Sequence, residues 1–421
     1  MMHNVMFICL ENYPTVGPCA NVLKNICVAG KLADKVNIHV LAIKNSYCDV
    51  NKEIIDNVTI HRLCLPEFTA FKDFRKRKKK NLLLDILYCL RLLRRRILLK
   101  FFKSEFLLDN NIIRTISKID GLRFEDIDVL IPVSGFFDAT EFAIRLKEIY
   151  HNKLLILQLD PCASNAAYTK ESLKNRQNFE QKMLDNADMI LALPEQYIEY
   201  QNTLKNRAIE IKKIHVPNLI PNIADTVDKV ELDTIACVFA GALYYGVRSP
   251  DYLFNLFSSI NEVKLYLIGR YNRIIRKKIS VIKNFIPLGP KSFTETKAIL
   301  NSADFLVNLG NSVFNQVPSK IFDYISFGKP IIHIRKLEND PSMEYLNKYP
   351  LCLDLFEGDS IETNVAKLED FISKNKGKRV DKDYIATTYK ECTPEYCAEQ
   401  LYQAILEVTH SGTQEEREAI E

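Results

Sequence analysis

The chain has 421 residues, of which 47% are apolar and only 13 are Gly, and this composition predicts two domains that each bury a core. No apolar stretch reaches the roughly 20 residues that a membrane-spanning helix needs, which excludes an integral membrane protein of that kind. The net charge of +4 excludes a generally basic protein, so any strongly charged surface must be local.

The first apolar run, Val5–Leu10, is six residues long and ends at Glu11. A secretory signal would need a basic start, a longer apolar run and a small-residue cleavage site. We therefore expect the protein to remain in the cytoplasm. The eleven Cys form no C-x-x-C pair and the seven His show no metal-ligand spacing, so we expect neither disulfides nor a metal site.

The first half of the chain alternates β-rich runs with helical patterns. Strands are predicted at Val5–Leu10, Asn37–Ile43, Val58–Leu63, Val129–Val133, Leu154–Leu159, Met189–Ala192 and Ile214–Val216. Helices are predicted at Ala20–Ala33, Ala139–Tyr150 and Lys170–Asn186. This alternation is typical of a parallel sheet with crossover helices, and it predicts a first domain over residues 1–217.

A basic insertion occupies residues 72–108 of this domain. Between Lys72 and Lys103, thirteen Lys and Arg lie against two Asp, a local net charge of +11. Apolar residues recur there at spacings of three and four, which is typical of one stripe of an amphipathic helix. These residues are Leu82, Ile86, Leu90, Leu93, Ile97 and Phe101.

Such a basic amphipathic segment favours an anionic membrane surface as its partner, since Leu and Phe can enter the interface while cations contact lipid headgroups. The cations expected to bind the membrane are Arg75, Lys76, Arg77, Lys78, Lys79, Lys80, Arg94, Arg95 and Arg96. A nucleic acid is a second interpretation of the charge, and a solvated face is a third. We prefer the membrane and expect no nucleic-acid partner.

The second half begins a new series of strands after a turn-rich linker at residues 218–234. Strands are predicted at Ile235–Ala240, Lys264–Ile268, Ile282–Leu288, Phe305–Asn308, Pro330–Ile334 and Leu351–Leu353. They predict a second doubly wound domain over residues 235–380. In residues 381–421 a helix is predicted at Pro394–Val408, which we expect to pack on the first domain before a frayed tail.

Loops that follow the strands are the places to look for a site, because ligands of open parallel sheets bind at the carboxyl ends of strands. Gly17 lies in the loop after the first strand. Gly241 and Arg248 lie in the loop after the first strand of the second domain, and Arg270 follows the next strand. Gly permits close approach of the backbone to a phosphate, and Arg is a permanent cation.

The most informative segment is NQVPSKIFDYISFGKPII, residues 315–332. Pro318 and Ser319 predict a helix start, where free N–H groups can hold a diphosphate and Lys320 can add charge. Asp323 lies one turn later and can accept hydrogen bonds from sugar hydroxyls. An ordinary capped amphipathic helix is the alternative interpretation.

The run PSKIFDYISFGKPII resembles the donor-site helix of bacterial GT-B glycosyltransferases that build capsules, exopolysaccharides and lipopolysaccharide O-chains. The likeness extends over nearly the whole chain, to segments that include ENYPTVGP, FAGALYYGVRSP and NSADFLVNLGNS. It implies an α/β protein in which two doubly wound Rossmann-like domains face a cleft. It also implies a nucleotide diphosphate sugar as donor substrate, with no cofactor required.

By position, the resemblance assigns Asp323 to the ribose and Ser319 with Lys320 to the phosphate or base side. Arg248 and Arg270 become candidates for the phosphates, beside Gly241 in the first loop of this domain. Two departures from the family pattern leave the stereochemical outcome open. Asn315 stands where many retaining members have a Glu, and Ala242 follows Gly241 where many have an Arg.

Catalysis needs a base for the acceptor hydroxyl if the reaction inverts the sugar. Asp160 ends the segment LLILQLD, where many relatives place an acidic or histidine residue, and it is the first candidate. Glu11 is the second candidate, and Gly17 belongs to the same acceptor-side loop.

The sequence thus predicts a hexosyltransferase-type glycosyltransferase in cell-surface glycan synthesis, acting on a lipid-linked or polysaccharide acceptor. We expect it at the inner face of the plasma membrane, as a peripheral protein. Two alternatives share the fold: a nucleotide-sugar 2-epimerase, and a non-catalytic scaffold that binds a partner glycosyltransferase.

Overall fold

The computed structural model of the chain describes most of both predicted domains. The described residues are 2–9, 11, 13–14, 17–46, 49–64, 83, 86–87, 89–90, 93, 122–134, 137–160, 170–203, 209–232, 235–243, 245 and 248–418. They divide into two compact units. The first contains Met1–Cys162, Lys174–Pro217 and Pro394–Glu421, and the second is built on Asn218–Thr393.

An eight-stranded sheet forms the centre of the first unit, in the order β3-β4-β2-β1-β5-β6-β7-β8. Its strands are β1 (Asn4–Ile8), β2 (Asn37–Ile43), β3 (Lys52–Ile55), β4 (Val58–Leu63), β5 (Val129–Ser134), β6 (Lys153–Gln158), β7 (Met189–Ala192) and β8 (Glu210–Lys213). Neighbouring strands are parallel, except that β3 runs antiparallel to β4.

The central strand β1 shows why this sheet is buried on both faces. Val5 and Phe7 point into one core cluster, while Met6 and Ile8 point into another, as the two-residue period of a strand requires. All four side chains are fully buried. A parallel strand covered by helices on both faces needs such a continuous apolar run.

In the first unit before the linker, the helices whose bounds fall among the described residues are α1 (Pro18–Lys24), α2 (Phe137–Tyr150), α3 (Lys170–Asn186) and α4 (Pro194–Thr203). A π-helical turn, Asn25–Ala29, continues α1, and a 3-10 turn follows at Leu32–Asp34. The predicted single helix Ala20–Ala33 is therefore three shorter pieces. Lys31 adopts a left-handed φ of 58°, which is incompatible with a continuous right-handed helix.

A six-stranded parallel sheet forms the second unit, in the order β11-β10-β9-β12-β13-β14. Its strands are β9 (Ile235–Ala240), β10 (Val263–Ile268), β11 (Phe285–Gly289), β12 (Phe305–Leu309), β13 (Ile331–Arg335) and β14 (Cys352–Phe356). Its helices are α5 (Ile223–Thr226), α6 (Asp251–Ser258), α7 (Arg273–Ile279), α8 (Phe293–Ser302), α9 (Lys320–Ser326), α10 (Met343–Leu346), α11 (Ile361–Asn375) and α12 (Lys382–Thr388).

The last helix, α13 (Pro394–Glu418), returns to the first unit. Its residues Cys397, Leu401 and Ile405 are fully buried in the same core cluster as Val5 and Phe7. Two ion pairs hold its exposed side to that unit, namely Lys35 with Glu399 and Lys212 with Glu407.

Two edge elements differ from the sequence prediction. The predicted strand Ile214–Val216 is extended chain beyond the true strand β8, whose sequence EIKK is mostly polar. Strand β3, with the sequence KEII, was not predicted. Both lie at the ends of the first sheet, where one edge is unpaired and an apolar run is not required. Among the described helices, none has the length and apolar character needed to cross a bilayer.

Candidate functional site

Two glycines bring the ends of β9 and β10 close together. The Gly241 N–H donates to the Ile268 carbonyl at 2.8 Å. Gly269 has a φ of +141°, and a Cβ atom at this position would lie 2.0 Å from the Gly241 carbonyl oxygen. Only Gly fits such a conformation and such a contact. The two backbone segments are therefore in direct contact at these strand ends, and Gly241 remains partly exposed.

Arg248 projects its guanidinium over the same strand ends. Its Nη2 donates to the Asn311 Oδ1 at 2.7 Å, and its Nη1 lies 3.5 Å from the point where a Cβ on Gly241 would stand. Asn311 follows β12, the neighbour of β9. A half-buried cation thus lies beside Gly241.

Helix α9 is attached to the end of β9 by one buried hydrogen bond. The Tyr324 hydroxyl accepts the Ala240 N–H at 2.9 Å. Burial raises the pKa of the Tyr324 hydroxyl well above its usual range, and Asp323 and Arg248 shift that pKa in opposite directions.

The start of α9 carries three predicted site residues. Lys320 Nζ donates to Asp323 Oδ2 at 3.0 Å, with side chains that are 39% and 19% exposed. The two residues, predicted from the sequence to have separate roles, thus form an ion pair one turn apart. Ser319 is exposed and makes no side-chain capping bond, unlike Ser292, which forms a capping box at the start of α8.

Arg270 lies at the same edge with an exposed side chain, and its carbonyl accepts the Leu243 N–H at 3.0 Å. The second unit therefore brings six predicted donor-site residues to the carboxyl ends of β9 and β10 and to the adjoining helix. They are Gly241, Arg248, Arg270, Ser319, Lys320 and Asp323.

In the first unit, the Glu11 carboxylate is hydrogen-bonded to the backbone at the start of α1. It accepts the Ala20 N–H at 2.8 Å, in place of a side-chain cap from Gly17. Gly17 has a φ of +128°, and a Cβ there would lie 1.9 Å from Glu11 Oε2. The glycine is needed because the carboxylate occupies the space of a side chain. A helix start with a bound carboxylate is a stabilising arrangement.

Asp160 follows β6 and is exposed. Its carbonyl accepts the Gln158 Nε2 donor at 2.5 Å. Burial raises the pKa of the Cys19 thiol above its usual range, and Glu11 and Asp160 both raise that pKa further. Glu11 and Asp160 both follow strands of the first sheet at their carboxyl ends, after β1 and β6.

The membrane-binding residues predicted from the sequence, Arg75 to Lys80 and Arg94 to Arg96, lie outside the described residues. Five apolar residues of that segment are described, and all are helical with exposed side chains between 44% and 73% accessible. They are Leu83, Ile86, Leu87, Leu90 and Leu93.

Asn311 lies in the candidate site, although the sequence did not predict it. It lies two positions beyond the last residue of β12, in the segment NLGNS. The rule that directed attention to loops after strands applies to it as well, so its place after β12 was the available signal. Within the described part of the chain, His, Cys, Asp and Glu form no group of three or more suited to hold a metal ion.

No protein-family model and no curated protein matches the sequence. Solved structures match it over nearly their whole length. The lipopolysaccharide outer core galactosyltransferase WaaB, in its apo form, aligns with a TM-score of 0.51 and 13% identity, covering 96% of this chain and 99% of that chain. Anabaena Alr3699/HepE in complex with UDP and glucose aligns with a TM-score of 0.54 and 11% identity, covering 99% and 100%.

A Listeria monocytogenes protein assigned as a UDP-N-acetylglucosamine 2-epimerase aligns with a TM-score of 0.53 and 12% identity, covering 99% of this chain and 98% of that chain. At such identities a likeness shows the fold alone. The chain has the GT-B fold of two Rossmann-like domains, which confirms the predicted fold class.

Proposed function

We propose that this GT-B chain is a glycosyltransferase whose donor is a nucleotide diphosphate sugar. The strongest support is the arrangement at the carboxyl ends of the strands in the second sheet. Gly241, the Arg248 guanidinium and the first turn of α9 come together there. A diphosphate needs cations and accessible backbone, and a ribose needs a hydrogen-bond acceptor. This arrangement offers all three.

The proposed roles follow from charge and position. Asp323 accepts hydrogen bonds from the ribose hydroxyls, since a carboxylate has only acceptor sites. Arg248 binds the diphosphate beside Gly241, and Arg270 contributes a second, exposed cation. Ser319 and Lys320 contact the phosphate or base side at the start of α9. UDP is the first nucleotide to test, because HepE was solved with UDP and glucose.

The acceptor belongs to the first unit in this proposal, as a lipid-linked or polysaccharide glycan of capsule or lipopolysaccharide synthesis. Asp160 removes the proton from the attacking hydroxyl in an inverting reaction. Its exposed position suits contact with a second substrate. Glu11 is the weaker candidate, because its carboxylate already accepts the Ala20 N–H.

The function can be tested by incubating the protein with UDP-, GDP-, ADP- and CMP-activated sugars and measuring the free nucleotide released. A glycosyltransferase should release nucleotide slowly from one donor in water, and faster once an acceptor is added. Release from none of them, with no shift of Tm by any nucleotide, would contradict the proposal and favour the non-catalytic scaffold.

The epimerase remains a second candidate because a protein assigned to that activity shares the fold over the full chain. An epimerase would convert the sugar of its nucleotide sugar at carbon 2, without any acceptor. Proton NMR of the same incubations distinguishes the two activities, since a new nucleotide-sugar isomer would appear in place of a glycosylated acceptor.

We further propose that the basic insertion binds the cytoplasmic face of the plasma membrane. The exposed Leu and Ile side chains at helical spacing between Leu83 and Leu93 support an apolar stripe. The surrounding sequence supplies the cations. Such a helix lies in the headgroup region with its apolar side chains directed into the lipid.

Neutralising Arg75 to Lys80 together with Arg94 to Arg96 should detach the protein from anionic vesicles. Each basic side chain near such a surface contributes about 1 kcal/mol, so the loss of nine should abolish sedimentation with the vesicles. Raising the salt concentration should weaken wild-type binding in the same way. Nucleotide binding should be unchanged. Vesicle binding as strong as that of the wild type would remove the membrane role.

A further inference from the structure

The Arg248 side chain is held by a hydrogen bond to a buried amide. An Arg side chain has several rotatable bonds and loses rotamer freedom when it is fixed. One acceptor that fixes it is the Asn311 Oδ1, at 2.7 Å from Nη2. Asn311 is only 3% exposed, so it is part of the protein interior rather than a mobile surface residue.

The orientation of the Asn311 amide is determined by its other contact. Its Nδ2 donates to the Gln316 carbonyl at 3.0 Å, which only the NH2 end of the amide can do. The oxygen end must therefore face the guanidinium. The amide thus acts as an oriented acceptor for Arg248.

The backbone that carries Asn311 is also fixed. The Gly310 N–H donates to the Ile334 carbonyl at 2.9 Å. A Cβ on Gly310 would lie 2.2 Å from Asp340 Oδ2, so the backbone lies directly against that buried carboxylate. Asp340 is held in turn by His333, whose Nε2 lies 3.3 Å from Oδ2. Asn311 therefore projects from a packed layer.

We propose that Asn311 is a positioning residue that holds the Arg248 guanidinium beside Gly241, where it meets the diphosphate of the donor. This inference rests on the proposed function. The neutral amide suits the task, because a carboxylate at this position would also orient the guanidinium but would cancel its charge.

The experiment uses whichever of UDP, GDP and ADP binds the wild type most tightly, together with the matching nucleoside. Calorimetric titrations are made with Arg248→Ala, Asn311→Ala and the double variant. Asn301→Ala is the matched control, because Asn301 is an equally buried amide that binds the Ala224 and Val227 carbonyls elsewhere in the same unit.

We expect Arg248→Ala and Asn311→Ala each to weaken diphosphate binding by about tenfold or more, the effect of one hydrogen bond to a charged group. The double variant should lose no more than Arg248→Ala alone, because the two residues act through one contact. Nucleoside binding should stay the same in all variants. Asn301→Ala should bind both ligands normally. Loss of a buried amide by itself would then not explain weaker diphosphate binding by Asn311→Ala.

Other binding results would contradict either the proposed function or the role of Asn311. No nucleotide binding by the wild type would contradict the proposed function, whereas wild-type diphosphate binding by Arg248→Ala would contradict the role of Arg248 and, with it, that of Asn311. Weak binding by Arg248→Ala with normal binding by Asn311→Ala, or losses that multiply in the double variant, would contradict the role of Asn311. If Asn311→Ala does not fold, Asn311→Asp replaces it. This variant should bind the diphosphate at least tenfold more weakly through charge cancellation, and normal binding would overturn the inference.

Discussion

Replacing Asp160 with Asn is expected to lower turnover by about 100 to 10,000-fold, the usual contribution of a general base. The attacking hydroxyl must lose a proton as the new glycosidic bond forms, and an amide cannot accept that proton. Asn keeps the size of the side chain, and the backbone carbonyl that accepts from Gln158 is unchanged. Donor binding should therefore stay near normal. Initial rates at saturating donor and acceptor, together with calorimetric Kd values, measure the two effects separately.

Glu11→Gln provides the matched control, because it removes the carboxylate of the second candidate for the base. Its remaining oxygen can still accept the Ala20 N–H, so we expect this variant to fold and to retain most of its turnover. A large loss in Glu11→Gln, with near-normal turnover in Asp160→Asn, would assign the base to Glu11 and contradict the first prediction.

Replacing Asp323 with Ala should weaken binding of the preferred nucleoside diphosphate by roughly 10 to 150-fold. This corresponds to about 1.5 to 3 kcal/mol, the range for hydrogen bonds to a charged group. The carboxylate is partly accessible in the first turn of α9, which Tyr324 ties to the end of β9. If Asp323 only stabilised the helix, its removal would change stability by a fraction of a kcal/mol and leave nucleotide binding unaltered. Calorimetric titration at matched folded fraction distinguishes these outcomes.

Lys320→Ala is the companion variant, because Lys320 forms an ion pair with Asp323. Its loss should weaken the diphosphate more than the nucleoside, since its charge acts on the phosphates while Asp323 remains to bind the ribose. Nucleotide binding by Asp323→Ala at the wild-type level would show that the donor site does not include this helix.

The strands that the sequence predicted well are those buried on both faces. Val5–Leu10 and Ile235–Ala240 are continuous apolar runs, and each corresponds to a central strand of its sheet. The two edge strands of the first sheet, Lys52–Ile55 and Glu210–Lys213, were missed or displaced. An edge strand is stabilised by pairing with one neighbour, so its own sequence carries little of the signal.

In the candidate site, too, a local sequence pattern supports prediction, whereas contacts between distant residues do not. Residues 318–330 carry a local pattern, from which the sequence predicts Ser319, Lys320 and Asp323 as site residues. The contact of Arg248 with Asn311 joins residues 63 positions apart and depends on the adjacency of β9 and β12. The contact of Glu11 with the start of α1 depends on the loop geometry that Gly17 allows. The spacing of apolar and polar residues along the chain does not predict such contacts.

The return of α13 to the first unit affects the order in which the chain can fold during synthesis. Residues 218–393 leave the ribosome before α13 does, so the second unit can be completed while the first still lacks a helix of its core. Until then the surface that Cys397, Leu401 and Ile405 later cover is exposed to water and prone to aggregation. A fragment ending at residue 217 would have this defect permanently. Separation of the two units for study would therefore require the last helix to be joined to the first fragment.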